Sequence, residues 1–253
     1  MTMITDLSWL TAYPIAHRGL YSHQEPIYPE NSMAAFRHAL DKKYAIELDV
    51  QVIADQEVIV FHDDNLRRMC GKAGEVDSLF ASDLEQCPLR VKSTVTEEKI
   101  PFLSEVLEMV DGRVPLLIEI KRQPQVKGAN DIILNALLGY EGPFAIQSFD
   151  PMVLGWFAKH APFIVRGQLS SNFSREKLNP IVKYLLRNFR LNFVSKPHFL
   201  AYAIDDMPRS LLSRKRKKGV LVLGWTVGNQ ASYDRVKSYC DNIIFEGFFP
   251  DCK

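Results

Sequence analysis

The chain has 253 residues, 47% hydrophobic, 24% charged and 11% aromatic, with 31 basic against 30 acidic side chains and a net charge of +1. That composition excludes a mainly disordered, collagen-like or low-complexity protein, and the length suits one large α/β domain or two smaller ones. The balanced charge gives no reason to expect bulk nucleic-acid binding. Cys70, Cys87, Cys240 and Cys252 are scattered, with no Cys-x-x-Cys pair. Neither a zinc knuckle nor a disulfide scaffold is expected, and a reduced cytoplasmic setting is. The first six residues lack a basic start followed by an apolar run, so no secretory signal is expected. No apolar stretch reaches the roughly 18 residues of a membrane span, and no stable membrane insertion is expected.

In chain order, short apolar runs at 14–17, 45–52, 58–62, 114–120, 144–147, 164–168, 193–195, 220–225 and 243–245 read as strands. Most are apolar on both faces, as in strands buried between a core and a helix layer. Helical patterns fill the gaps. Asn31 or Ser32 offers a cap for the first, residues 104–110 and 208–218 read as helices, and Asp150-Pro151 reads as an N-cap followed by proline at the first helical position. Strand–helix–strand alternation implies right-handed parallel crossovers. Eight units in this length correspond to a TIM-type (β/α)8 barrel of ~250 residues. A doubly wound open sheet is the second choice, although no Gly-x-Gly-x-x-Gly follows the first strand and no dinucleotide site is expected. Residues 64–113 show no strong strand pattern. They read as an insertion with short helices after the second strand, within a single domain spanning 1–253.

Glu47 and Asp49 are two apart in Ala45-Ile46-Glu47-Leu48-Asp49-Val50. On a strand they share one face, roughly 6–7 Å apart, while Ile46, Leu48 and Val50 face the other way. Two buried carboxylates each cost several kcal/mol unless cations compensate them or one is protonated. Hard oxygen donors at this spacing suit Mg²⁺ or Ca²⁺. The alternative is an exposed edge strand with solvated acids, which the apolar flanks disfavour. The spacing recurs at Glu119 and Lys121, where the acid could complete a three-carboxylate site and the ammonium could neutralise a phosphate. The alternative there is an internal ion pair. His17 and His62 each close a strand-like run, where barrel active sites sit, and imidazoles titrate near neutral pH. Arg18 offers a forked donor for phosphate. A lone histidine is usually structural, but His17-Arg18-Gly19, Glu47-x-Asp49 and His62-Asp63 within 47 residues are less easily accidental.

Together with Pro29-Glu30-Asn31-Ser32, Glu119-Ile120-Lys121, Gln147-Ser148-Phe149-Asp150 and Trp225-Thr226-Val227, these motifs resemble the glycerophosphodiester phosphodiesterase family, in the family's order from about residue 14 to 251. The resemblance implies a β/α barrel with an insertion after the second strand. It implies that His17 and His62 are the acid–base pair, that Glu47, Asp49 and Glu119 hold a divalent cation, and that Arg18 and Lys121 bind phosphate. It further implies that Glu30 and Asn31 support the first loop, with Asn31 near the metal or phosphate, and that Trp225 lines the glycerol side of the pocket. The expected activity is metal-dependent hydrolysis of small glycerophosphodiesters to glycerol phosphate and an alcohol. Competing readings are a phospholipase D-like or lyase activity on lysolipids and a non-catalytic phosphate-binding barrel. The basic run Arg214–Lys218 reads as the solvated C-terminal end of a helix, with a membrane or nucleic-acid patch as the second choice.

Overall fold

The computed structural model describes residues 7–251. They form two compact units, residues 16–143 and residues 144–251 with the segment up to Ile15. Helix α1 (Trp9–Ala12) and the two-residue strand β1 (Ile15–Ala16) open the described chain.

In the unit formed by 16–143, α2 (Met33–Asp41) starts at Ser32, whose Oγ accepts a hydrogen bond from Ala35 N at 3.2 Å. A hydroxyl at the N-cap satisfies an amide that the first turn leaves without a partner. Ser32 is thus the cap, and Asn31 is free for another task. Strand β2 (Ala45–Val52) is buried at all eight positions. Strand β3 (Val58–Val60) runs antiparallel to it, Val50 opposite Val60. This corrects the reading of 58–62 as a strand ending at a barrel mouth. His62 reaches its place by returning alongside β2, where Phe61 N donates to Asp49 O at 2.9 Å.

Short helices α3 (Arg67–Cys70) and α4 (Ala81–Leu84) follow, as the sequence suggests, and then a hairpin that it does not. Its strands are β4 (Pro88–Val91) and β5 (Thr94–Lys99). Strand β5 is largely exposed, so it carries no apolar alternation to reveal it. Leu89 of β4 joins a local core with Phe61, Leu66, Met69, Val76 and Leu84. Full burial of side chains of this size stabilises by roughly 1.5–3 kcal/mol each. Helix α5 (Leu103–Val110), strand β6 (Leu116–Ile120) and helix α6 (Ala129–Leu137) complete the unit. Strand β6 is parallel to β2, with Asp49 opposite Glu119.

The other unit continues with β7 (Phe144–Ser148), α7 (Pro151–His160), β8 (Val165–Ser170), α8 (Pro180–Arg187), α9 (Asn192–Ser195), β9 (Phe199–Ala203), α10 (Ser210–Arg216), β10 (Leu221–Val227), α11 (Gln230–Val236) and β11 (Asn242–Phe245). Strands β7 to β11 pair in sequence order and all in parallel, the signature of strand–helix–strand crossovers. Asp150 caps α7 by accepting from Met152 N at 2.7 Å, with Pro151 at the first helical position as expected. Residues 193–195 are not the expected strand. They form α9, and the strand is the apolar run Phe199-Leu200-Ala201-Tyr202-Ala203 beyond Pro197. Gly167 on β8 is required there, since a Cβ would lie 2.1 Å from the Phe199 ring. Asn242 Nδ2 anchors the N-terminal segment by donating to Leu10 O and Tyr13 O at 2.7 and 2.6 Å. Cys70, Cys87 and Cys240 are buried free thiols, and Cys252 lies outside the described residues. Among the described residues no helix is long and apolar enough to cross a membrane.

Candidate active site

The two-residue period of β2 turns Glu47, Asp49 and Gln51 to one side, and each is almost fully buried. Register with β6 sets Glu119 against Asp49. One oxygen from each of Glu47, Asp49 and Glu119 lies within 4.8 Å of the others. Three hard oxygen donors at that separation match a divalent cation such as Mg²⁺ or Ca²⁺.

Cations surround the acids. Lys121 Nζ lies 2.8 Å from Asp49 Oδ1 and 2.5 Å from Glu119 Oε1. Arg18 Nε lies 3.2 Å from Asp49 Oδ2, and its Nη1 is 2.5 Å from Glu30 Oε1. Burial pushes the Asp49 carboxyl up, but Lys121 and Arg18 outweigh it and hold the group well below the carboxylate range. Glu47 is less compensated. Burial, then Asp49, pushes it up to about 7, while His17 pulls it down. Burial lowers the Lys121 ammonium, yet Asp49 and Glu119 hold it above its ordinary value. Both ways of tolerating buried acids thus occur side by side, ionised with cations at Asp49 and a raised pKa at Glu47.

The turn after β1 builds the other wall. Arg18 and Gly19 both adopt positive φ, 54° and 78°. A Cβ at Gly19 would come within 2.9 Å of the Phe36 ring, so glycine meets both the φ and the close approach. This turn brings Arg18 N to Glu47 Oε2 at 3.0 Å and Gly19 N to Glu47 O at 3.2 Å. Asn31 has φ 54°, a conformation that asparagine tolerates better than most residues. It reaches Asp49 from the next turn, with Nδ2 donating to Oδ2 at 2.9 Å.

His17 Nε2 lies 4.0 Å from Glu47 Oε2. His62 Nδ1 pairs with Asp63 Oδ1 at 2.8 Å, which fixes the orientation of the imidazole. Arg68 of α3 extends the network. It holds Asp63 through Nε and Nη2 at 2.7 and 2.8 Å, and Glu30 through Nη1 and Nη2 at 2.7 and 2.8 Å. An unbroken chain of hydrogen bonds therefore runs Arg18–Glu30–Arg68–Asp63–His62. The sequence reading missed Arg68 and two glutamines. Gln51 Nε2 donates to Phe61 O and Asp63 O at 3.0 and 2.8 Å, clamping both sides of His62. Gln123 exchanges two hydrogen bonds with the Val52 backbone, at 2.7 and 2.9 Å, and locks the end of β6 to β2. Carrying the two-residue period one step further, from 47 and 49 to 51 and from 119 and 121 to 123, would have found both glutamines. Nothing local in the sequence marks Arg68.

Unit 16–143 thus brings together His17, Arg18, Glu30, Asn31, Glu47, Asp49, His62, Glu119 and Lys121. Trp225 belongs to the other unit, on β10. Its ring meets Phe149 edge-on at 5.4 Å and 88°. Its indole Nε1 is buried, with no hydrogen-bond partner among the described residues.

Residues 17–247 match the model of the glycerophosphoryl diester phosphodiesterase family. A glycerophosphodiester phosphodiesterase from Bacillus altitudinis is 38% identical over 227 residues, covering 83% of this chain and 90% of that protein. One from Caldanaerobacter subterraneus is 28% identical over 241 residues, covering 91% and 92%. Among solved structures, a glycerophosphodiester phosphodiesterase from Thermotoga maritima has TM-score 0.71 and 25% identity over 92% of this chain and 94% of its own. A phosphodiesterase from Oleispira antarctica, in complex with the product sn-glycerol-3-phosphate, has TM-score 0.77 and 21% identity, covering 94% and 93%. The fold class is that of these structures, a TIM-type (β/α)8 barrel. With a family match from His17 to Gly247, this chain belongs to the glycerophosphoryl diester phosphodiesterases.

Proposed function

We propose that this phosphodiesterase cleaves glycerophosphodiesters to glycerol phosphate and an alcohol with His17 and His62 as its acid–base pair. In this reading Glu47, Asp49 and Glu119 hold Mg²⁺ or Ca²⁺, within one catalytic domain that carries residues 64–113 as an insertion. The observation that carries it is the buried three-carboxylate cluster with oxygens within 4.8 Å, adjoined by His17 and by an oriented His62. The donor set fits a hard cation: all oxygen, close together, and with Glu47 poised to gain from a further positive charge. When bound, a divalent cation polarises a phosphate oxygen and offsets charge in the transition state.

The remaining work falls to side chains of the chain itself. Arg18 and Lys121 neutralise the phosphate oxygens as charge accumulates on them, in a setting mostly shielded from water. Asn31 fixes the orientation of Asp49 through its 2.9 Å hydrogen bond. Asp63 holds His62 so that Nε2 carries the transferred proton. One histidine takes a proton from the nucleophile and the other gives one to the departing alcohol; water as nucleophile gives glycerol phosphate directly, whereas the neighbouring glycerol hydroxyl gives a cyclic phosphate that a water then opens to glycerol phosphate. Trp225 is assigned to the glycerol side of the pocket, as the family resemblance implies. The test is release of glycerol phosphate from glycerophosphocholine, with and without added Mg²⁺ or Ca²⁺. No release under either condition overturns the proposal.

A further inference from the structure

Charge is not spread evenly along this chain. Residues 175–218 carry twelve of its 31 Lys and Arg but only three of its 30 Asp and Glu. This stretch is strongly cationic, and the remainder is net acidic. Among the described residues it also bears the two most exposed large apolar side chains. Ile181 is 70% and Phe193 74% exposed, with Val182 and Tyr184 exposed as well. Helix α8 buries none of its residues. A helix of eight residues is not stable on propensity alone and normally rests on a packed apolar face. In α8 the helical period sets Ile181, Val182 and Leu185 on one side and Lys183 and Arg187 on the other.

The end of α8 is nevertheless firmly held. Phe189 is buried, its ring 5.8 Å from that of Tyr202. Arg209 donates to Tyr202 Oη at 2.6 Å, to Asn188 Oδ1 at 2.8 Å and to the Arg187 carbonyl. Between this segment and α10 lies an open cleft of about 390 Å³. Arg190, Arg209, Arg214 and Lys215 line it, and no carboxylate is among its described lining residues. Lys215 Nζ lies 5.8 Å from the centre of the Phe189 ring, and burial, then Lys218, lowers its pKa. Cations are crowded here without an acidic neighbour in the cleft.

We infer that this face docks peripherally on an anionic phospholipid surface, with Ile181, Val182 and Phe193 entering the boundary between headgroups and acyl chains and Arg190, Arg214 and Lys215 taking lipid phosphates. Basic side chains flanking an exposed apolar helix face are what such a surface recognises. Other occupants satisfy only half of the pattern. A nucleic acid would neutralise the cations and leave Ile181 and Phe193 in water. A second copy would bury the apolar residues but oppose like charges. Peripheral docking requires no spanning helix.

The test is sedimentation of the full chain with vesicles of phosphatidylcholine alone and of phosphatidylcholine mixed with phosphatidylglycerol. The wild type is expected to sediment with the mixed vesicles only and to be released by high salt. The pair Ile181→Asp and Phe193→Ser, and separately the pair Arg190→Glu and Arg214→Glu, each lowers the bound-to-free ratio by roughly tenfold or more. Both variants keep wild-type turnover of a soluble substrate and the wild-type melting temperature. Failure of the wild type to sediment with the mixed vesicles overturns the inference, and so does wild-type sedimentation by either variant. A DNA mobility shift without vesicle binding assigns the patch to nucleic acid instead. A dimer in sedimentation velocity that Ile181→Asp dissociates, again without vesicle binding, assigns it to a second copy.

Discussion

The Arg68 guanidinium grips the Asp63 carboxylate with two nitrogens, Nε to Oδ2 at 2.7 Å and Nη2 to Oδ1 at 2.8 Å. Asp63 in turn fixes His62, and Arg68 also holds Glu30, the partner of Arg18. With His62 and Arg18 in their proposed roles, Arg68 would be a positioning residue that acts through its neighbours. Arg68→Ala is expected to lower kcat by about tenfold, a typical cost of losing a supporting partner, and to shift the pH–rate profile as His62 loses its orienter. Arg68→Lys restores part of the rate, since an ammonium supplies the charge without the fork. Unchanged kcat and pH profile in Arg68→Ala would contradict this role.

His17→Ala and His62→Ala are each expected to cost at least ~100-fold in kcat, the low end for acid–base catalysis. Single-turnover kinetics separates this from slower product release. Near-wild-type rates in either variant would refute the acid–base assignment.

Chelation should abolish turnover, with Mg²⁺ or Ca²⁺ restoring it. A second readout does not depend on activity. A cation bound only by the folded state stabilises it by ~2.7 kcal/mol at a concentration 100 times its dissociation constant. The melting temperature of wild type should therefore rise with added cation. Glu47→Gln and Glu119→Gln should flatten that rise, and an equal rise in both variants would remove these acids from the ligand set.

Asp49→Asn removes the carboxylate that Lys121 and Arg18 share. Both cations are mostly buried, so the variant leaves charge in a poorly solvated place. A destabilisation of roughly 3–5 kcal/mol is expected, the usual cost of breaking a buried pair on one side. Urea denaturation followed by circular dichroism measures it, and a loss below ~1 kcal/mol would show that the site relaxes around the missing charge.

Acid should loosen the network around Arg68 first. Burial raises both Glu30 and Asp63, but Arg68 and Arg18 at the first and His62 and Arg68 at the second outweigh it and depress both folded pKa values. A depressed folded pKa means that the contribution is complete above the unfolded carboxylate values near ~4 and is lost as pH falls through the folded ones. Denaturation midpoints measured from pH 6 downward should fall below about pH 4, and less steeply in Arg68→Ala. Parallel curves for the two proteins would exclude these pairs as the cause.

Much of this chemistry could be read along the chain because it follows the two-residue period of strands. Glu47 with Asp49, and Glu119 with Lys121, declare a shared face wherever the strand lies. The cap and proline at Asp150-Pro151 are equally local signals. What the sequence alone did not determine depends on partners far along the chain. The antiparallel return of β3 is set by pairing with β2, and periodicity within 58–62 carries no direction. Strand β5 is exposed and so has no apolar pattern, and α9 looked like a strand because Phe193-Val194-Ser195 is β-prone in composition. Arg68 acquires its role because α3 carries its guanidinium to Glu30, thirty-eight residues earlier. The raised pKa of Glu47 beside a depressed Asp49 likewise comes from burial and from cations that only folding brings near. Residue type and spacing determined which groups were available, and tertiary contact decided which of them meet, because Coulomb and hydrogen-bond energies depend on distance in space rather than along the chain.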